Sequence, residues 1–263
     1  MSNDAQHGET PRSDLELALA LADAADAVTL PRFRAADLSV ETKPDTTPVT
    51  DADLATEDRL RALLAAHRGG DAVAGEERGG AVSAGRAWLI DPIDGTKNFS
   101  RGLPVWATLI ALLHDGVPIL GVASAPALGV RWWAATGHGA WRRDHAGAGR
   151  IGVSGVAALG DAYVSTTNLA EFPQPEAYLA LLAACWESRA LGDFWQHCLV
   201  AEGALDIAVD PVASAWDLAV PAVLVTEAGG RFTALDGTES HDAGSGLSTN
   251  GLLHEEALRL LRS

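Results

Sequence analysis

A layered α/β (α+β) sandwich, with helix and sheet layers alternating, is what this sequence predicts, and three observations predict it. Two segments carrying capping signals, the first rich in alanine and leucine, open the chain as helices. A run of short apolar segments separated by turn residues follows, the mark of an antiparallel sheet. Beyond a Gly/Arg-rich stretch, strands and helices mix to the end of the chain. This mixed order suits stacked layers better than one doubly wound sheet.

Residues 1–12 are polar and read as a loose N-terminus. Ser13 with Glu16 forms a capping box that starts an Ala/Leu helix, which Pro31 stops. ETKPDTTPVTDAD, with two prolines and four threonines, reads as a loop or hairpin. Thr50 with Asp53 three places later opens a second helix, running to about His67 before Gly69-Gly70. Short buried strands are expected at 71–75 and 88–90, and a strand pair at 105–113 and 117–123 joined at Asp115-Gly116. Residues 130–141 continue the strand pattern. The stretch 142–155, RRDHAGAGRIGVSG, reads as the boundary between a metal-binding half at 13–145 and a second half at 146–263 that completes the active site, the two forming one compact domain. In the second half we expect a strand at 162–165, helices at 175–188 and 195–203, and a strand at 205–209. Helices at 217–228, closed by Gly229-Gly230, and at 252–261 follow.

Composition narrows the function. Of the 263 residues 48% are hydrophobic and 21% charged, which excludes a disordered chain. A net charge of −16, from 35 acidic against 19 basic side chains, repels phosphate backbones and anionic lipid, so neither nucleic acid nor membrane is an expected partner. The longest apolar run, 105–113 broken by Thr108, is too short to span a bilayer. MSNDAQHGETPRSD lacks the apolar centre of a secretory signal, and two cysteines, Cys185 and Cys198, make no disulfide framework. A cytoplasmic protein is the expectation. The eight histidines show no zinc-type HxxxH spacing, and the GxxxxGK[ST] phosphate loop is missing.

The informative segment is WLIDPIDGTKNF. Asp91 ends a buried strand that Pro92 cannot continue regularly, so Asp91 and Asp94 emerge from one tight turn with the Ile93 carbonyl between them. Hard divalent cations such as Mg²⁺ take oxygen ligands of this mixed kind. If a short helix starts at Gly95 and Thr96, its free N–H groups suit a phosphate. An ordinary type I turn would explain the same residues. Glu76, straight after Gly75, reads either as a ligand at a strand end or as a solvated loop charge, and Asp217 either as a ligand or as the N-cap of an apolar helix that tolerates Pro221. Each bland explanation stands singly; all of them together, in this order, do not.

GEE, WLIDPIDGTKNF and WDLAVPAVLVTEAGG resemble the motifs of the inositol monophosphatase superfamily of Mg²⁺-dependent phosphatases, over nearly the whole chain. Within it, NFSRGLPVWATLIAL, GDFWQHCLVAEGALDIAVDP and STNGLLHEEAL are most similar to the actinobacterial type of histidinol-phosphate phosphatase. The resemblance implies one Mg²⁺ on Glu76, Asp91 and the Ile93 carbonyl, a second on Asp91, Asp94 and Asp217, and a third, weaker ion leaning on Glu76. Asp53 and Thr96 would orient and deprotonate the attacking water, and the Gly95 and Thr96 amides would hold phosphate oxygens. The same resemblance puts Glu76, Ile93, Asp94, Asp217, Arg189 and Asp210 around the substrate and implies a homodimer.

The expected substrate is a small phosphorylated metabolite. Histidinol phosphate carries an amine and a titratable imidazole, which acidic Asp193 and Asp210 would complement; a helix cap and a turn residue are the plainer explanations. Trp106 or Trp195 could stack on an imidazole, although most of the eight tryptophans are packing residues. His197 and Cys198 read as core. Inositol phosphate is the alternative substrate, with fructose bisphosphate or a nucleotide 3′-phosphate behind it. A catalytically silent metal-binding regulator is the alternative of another class, and the intact set of Glu76, Asp91, Asp94, Asp217, Thr96 and Asp53 speaks against it.

Overall fold

Ser13 closes the first helix as its side chain accepts the Glu16 N–H at 3.1 Å while Glu16 accepts the Ser13 N–H at 2.9 Å, so helix α1 (Asp14–Arg32) starts where the capping box predicts. It ends one residue beyond Pro31, which has no N–H for the last turn. The computed structural model describes residues 13–44, 46–82 and 84–262, and the loose N-terminus expected at 1–12 lies outside them. The proline- and threonine-rich stretch forms an antiparallel hairpin of β1 (Val40–Thr42) and β2 (Pro48–Thr50), and α2 (Asp51–His67) follows directly.

Next comes the first sheet: β3 (Ala72–Gly75), β4 (Arg86–Asp94), β5 (Ala107–His114), β6 (Val117–Ala125), β7 (Val130–Ala135), β8 (Gly139–Asp144) and β9 (Gly147–Ile151), in that spatial order. β3 runs parallel to β4 and every later pairing is antiparallel. α3 (Thr96–Ser100) sits in the β4–β5 connection. Two expectations change here. β4 continues through Asp94 rather than ending at 90, and the stretch 142–155 contributes the end of β8 and all of β9, because its glycines and arginines pair as an edge hairpin.

The second sheet has the order β11 (Glu187–Arg189), β10 (Tyr163–Thr166), β12 (Ile207–Asp210), β14 (Gly246–Thr249), β13 (Arg231–Thr233). Its first three strands are parallel and the last two antiparallel. Helices α4 (Pro175–Ala184), α5 (Asp193–Ala201), α6 (Ala215–Glu227) and α7 (His254–Leu261) flank it. The helix expected at 175–188 stops at Ala184, since residues 187–189 pair with β10. β13 and β14 were not foreseen from the sequence. Among the described residues, no helix is long and apolar enough to cross a membrane.

Strand alternation sorts the side chains into layers. In β4 and β5, Trp88, Ile90, Ile110 and Leu112 face α1 and α2, whereas Leu89, Leu109, Ala111 and Leu113 face the layer of α5 and α6. In β12, Ala208 faces that same middle layer, while Ile207 and Val209 pack with α4 and α7. Helix, sheet, helix, sheet, helix is the resulting order. Asp91 and Asp210, two residues on from Leu89 and Ala208, fall on the middle-layer side by the same alternation.

One buried ion pair staples α1 to the first sheet. Arg131, 5% exposed, reaches Asp23 at 2.7 Å and Asp26 at 2.6 Å and donates to Ser124 Oγ at 2.9 Å. Burial pushes the Asp26 carboxyl up, against the pull of Arg131 and Ser124. Arg131→Ala therefore leaves the Asp26 carboxylate without a counter-ion, with only the Ser124 hydroxyl donating to it at 2.9 Å. We expect a loss of about 3 kcal/mol by urea denaturation at neutral pH, the lower end for a broken buried pair because Asp26 keeps some contact with water. A loss below about 1 kcal/mol would reduce the staple to an ordinary surface pair.

Candidate active site

The site begins at an irregularity in β4. Asp91 pairs with Leu109 and Asp94 with Ala107, so three steps on β4 oppose two on β5. This bulge accommodates Pro92, whose missing N–H would break a regular ladder. Thr108 Oγ1 donates to the Pro92 carbonyl at 2.8 Å, and the Ile93 N–H donates back to Asp91 Oδ1 at 2.9 Å. The extra residue re-aims the strand end, and Asp91, Ile93 and Asp94 stay buried. Gly95 then takes a left-handed φ of 82°, and a Cβ there would stand 2.9 Å from the Val105 carbonyl oxygen, so only glycine fits before α3.

Helix α2 approaches with its first turn. Asp53 closes a capping box with Thr50: its Oδ2 accepts the Thr50 N–H at 2.8 Å and the Thr50 hydroxyl at 2.6 Å. Oδ1 lies 3.3 Å from Thr96 Oγ1, whose nearer acceptor is the Ile93 carbonyl at 2.8 Å. Burial raises the Asp53 carboxyl to about 6, against the two Thr50 hydrogen bonds. One turn further on, buried Glu57 accepts the N–H groups of Glu77 at 2.7 Å and Arg78 at 3.1 Å and fixes the turn that carries Glu76.

Two helix starts from the middle layer complete the cluster. The Phe194 N–H of α5 donates to Asp94 Oδ2 at 2.6 Å. Asp217, third residue of α6, accepts the Ser214 N–H at 2.7 Å in a further capping box. Oxygens of Asp91, Asp94 and Asp217 all lie within 4.8 Å of one another. Burial first, and then neighbouring carboxylates, raise all three, Asp217 to about 7 and the other two well above the usual aspartate range. Among the described residues, none of the three has a basic partner within ion-pair distance. Oxygen-only donors, crowded, buried and short of positive charge, fit a hard divalent cation.

Glu76 lines the same cavity of about 390 Å³, but its carboxylate meets Lys43 from the β1–β2 turn at 2.7 Å, and Glu77 meets that ammonium at 2.5 Å. Burial works against the Lys43 charge, yet the two glutamates outweigh it and hold its pKa above the usual lysine range. The sequence reading missed Lys43. A signal was available, because the chain has only two lysines, and the other, Lys97, also lines this cavity.

The expected substrate wall is brought together only in part. Asp193 lines the cavity beside Lys97 and Asn98. It heads α5 at a left-handed φ of 48°, its N–H donates to Thr167 Oγ1 at 2.9 Å, and its Oδ2 accepts from Asn98 at 3.0 Å; its side chain caps nothing. Burial and then the Asp210 charge raise its carboxyl to about 6, with Lys97 opposing. Asp210 stands behind the wall. Its Oδ1 accepts from Thr167 at 2.5 Å and Gln196 at 2.7 Å, and its Oδ2 pairs with His197 at 2.7 Å, whose other nitrogen meets Ser248 at 2.8 Å. Its oxygens are thus taken by the protein, and it does not line the cavity. Arg189 is exposed on edge strand β11, paired with Glu187 at 3.0 Å, also away from the cavity. Trp106 is buried against Phe33 and Phe99, and Trp195 packs on the core.

The charge crowding has a measurable sign. Asp53 and Asp217 have folded pKa values of about 6 and about 7, above the unfolded value, so the metal-free fold binds more protons than the unfolded chain. Their favourable contribution is full below the unfolded value of about 3.9 and is lost as pH rises through 6 and 7. Asp217→Asn keeps an acceptor for Ser214 and removes one charge. We expect the metal-free variant to be more stable than the parent at pH 7 by about 1–3 kcal/mol, with the difference vanishing near pH 4. Equal thermal midpoints at both pH values would refute the crowding.

Comparison with known proteins identifies the family. A family model, the inositol monophosphatase family, matches residues 11–263. The chain is 55% identical over 255 residues to a histidinol-phosphatase from Mycobacterium tuberculosis, covering 95% of this chain and 98% of that one. To a histidinol-phosphatase from Streptomyces coelicolor it is 50% identical over 256 residues, covering 94% and 96%. A solved structure of an IMPase from Thermotoga maritima superposes with a TM-score of 0.85 at 28% identity, covering 94% of this chain and 96% of that one. Matched from residue 11 to residue 263 and by relatives that cover nearly its whole length, this chain belongs to the inositol monophosphatase family.

Proposed function

We propose that this protein is a Mg²⁺-dependent phosphatase whose substrate is histidinol phosphate, hydrolysed to histidinol and phosphate. The observation that carries the reading is one cavity with two chemistries: a largely buried cluster of Asp91, Asp94 and Asp217 and, beside it at the start of α5, the carboxyl of Asp193. The first suits a phosphate with its cation, the second an organic part that bears an amine. The names of the two histidinol-phosphatase relatives support the same substrate.

Asp91, Asp94 and Asp217 would hold the cation, with Glu76 and the Ile93 carbonyl extending the donor set. A bound divalent cation there supplies Lewis acidity, neutralising phosphate charge and lowering the pKa of a nearby water. The chain's own part is proton handling and placement. When the Thr96 hydroxyl donates to Asp53, its lone pairs accept from a water, and a proton leaving that water passes toward Asp53. A carboxyl near 6 is matched to that task at neutral pH. The Gly95 and Thr96 amides open α3 toward the cavity and suit phosphate oxygens. Water oxygen joins phosphorus as the bond from phosphorus to the alcohol oxygen breaks; one water proton goes toward Asp53, and the departing alkoxide takes a proton from solvent water to become histidinol.

The same reading carries a cytoplasmic setting, where Cys185 and Cys198 remain free thiols, and a homodimer. It also carries two halves, 13–145 and 146–263, that build the site jointly, with β9 of the first sheet lying beyond that boundary.

Two outcomes test the reading. Thr96→Ala should lower kcat by about 10²–10⁴-fold, Asp53→Asn should do likewise, and the double variant should be scarcely worse than either. Losses that multiply would show the two side chains acting separately.

The substrate is tested by phosphate release from histidinol phosphate and from inositol 1-phosphate in Mg²⁺. Asp193→Asn should raise KM for histidinol phosphate by about tenfold or more, since a lost charge partner at a wet rim costs the lower end of ~2–5 kcal/mol. Inositol phosphate turnover should hardly change. If the ratio of kcat/KM for the two esters is the same in both proteins, Asp193 does not read the amine.

A further inference from the structure

A second cleft, of about 400 Å³, opens at the far end of α6. Its apolar lining includes buried Val223 and Phe232 together with Val117 and Pro118. Its lining is polar and of both signs elsewhere, carrying Glu227, Glu239, Arg231 and His241. The volume lies in the range of small-molecule sites.

His241 is the unexplained group. It is 7% exposed, it lines the cleft, and its imidazole makes no hydrogen bond to the described protein. Its ring nitrogens are not among the buried unpartnered atoms of the described residues, so they keep contact with the cleft and are open to a molecule that enters it. Burial pushes its pKa down, against the Asp242 charge, so at neutral pH it is uncharged and offers one donor and one acceptor. Glu227 is fixed in place by the backbone N–H groups of Gly137 at 3.0 Å and Gly139 at 2.8 Å, and among the described residues it has no basic partner. Each of its oxygens keeps an acceptor site. Arg231 is held from one side by Glu255 and has Glu239 only at 3.8 Å, so part of its donor fork is free.

We propose that this cleft is a second binding site, for a small zwitterion of the amino-acid class. Its ammonium meets Glu227, its carboxylate meets Arg231, and its side chain lies on the apolar lining with His241 as hydrogen-bond partner. The cleft is distinct from the acidic cavity, yet α6 serves both: Asp217 stands in its first turn and Glu227 ends it, ten residues or about 15 Å away.

Calorimetric titration of the full-length protein with the common L-amino acids, and with ethylamine and acetate alone, tests the site. We expect one or more amino acids to bind one per chain, with ethylamine and acetate at least about tenfold weaker, a difference of ~1.4 kcal/mol. Glu227→Gln should weaken binding by about tenfold or more. Thr226→Trp, at an exposed position lining the same cleft, should block it by bulk without touching a hydrogen bond of the fold. Asp91→Asn should leave it unchanged. The proposal is overturned if no amino acid binds, if ethylamine binds as well as the best amino acid, or if binding responds to Asp91→Asn and not to the cleft variants. It is equally overturned if Thr226→Trp changes the oligomeric state while no amino acid binds, for the cleft would then face a second copy of the chain.

Discussion

Four carboxylates must stand close together at one end of β4 without flying apart, and backbone N–H groups are what hold them. Asp53 accepts from Thr50 at 2.8 Å, Asp91 from Ile93 at 2.9 Å, Asp94 from Phe194 at 2.6 Å and Asp217 from Ser214 at 2.7 Å. Three of those donors sit at helix starts, where N–H groups lack helical partners and the local field favours negative charge. The fourth sits in the bulge of β4. Position is therefore set by the polypeptide backbone and not by long basic side chains. This explains why α5 and α6 must lie between the two sheets: only there can their first turns meet the end of β4.

Much of this was legible in the sequence because capping is local chemistry. Ser13 with Glu16 and Thr50 with Asp53 announce their helices within four residues, and both boxes form. The extent of β4 was not legible, since Pro92 ordinarily ends a strand and a bulge depends on the partner strand. Strands such as RFT and GLST carry almost no periodic signal in three or four residues, and their pairing is decided by neighbours far away in sequence. In the site, the residues of one tight segment were readable together. The surroundings of Asp210 were not, because Thr167, Gln196 and His197 reach it from two other elements.

That buried group gives the substrate wall its stiffness. Thr167 donates to Asp210 and accepts the Asp193 N–H, so the Asp210 network grips the strained start of α5 from behind. A left-handed non-glycine residue costs about 1–3 kcal/mol and persists only where its surroundings over-determine it. Here two hydrogen bonds to Asp193, from Thr167's side and from Asn98, supply that constraint. The carboxyl that faces the cavity is thus presented by a rigid mount.

The capping boxes at Asp53 and Asp217 also bear on how such chains diverge. An acceptor side chain that starts a helix is kept by the demands of folding even where no reaction is under selection. A descendant that abandoned catalysis would retain a capping acceptor, aspartate or asparagine, at both positions for as long as α2 and α6 had to begin where they do. Thr96 has no such second employment: its hydroxyl bonds only the Ile93 carbonyl and Asp53, and α3 starts without a side-chain cap. In a comparison of relatives, the loss of the threonine, and not the persistence of an acceptor at the two caps, would mark the point at which chemistry was given up.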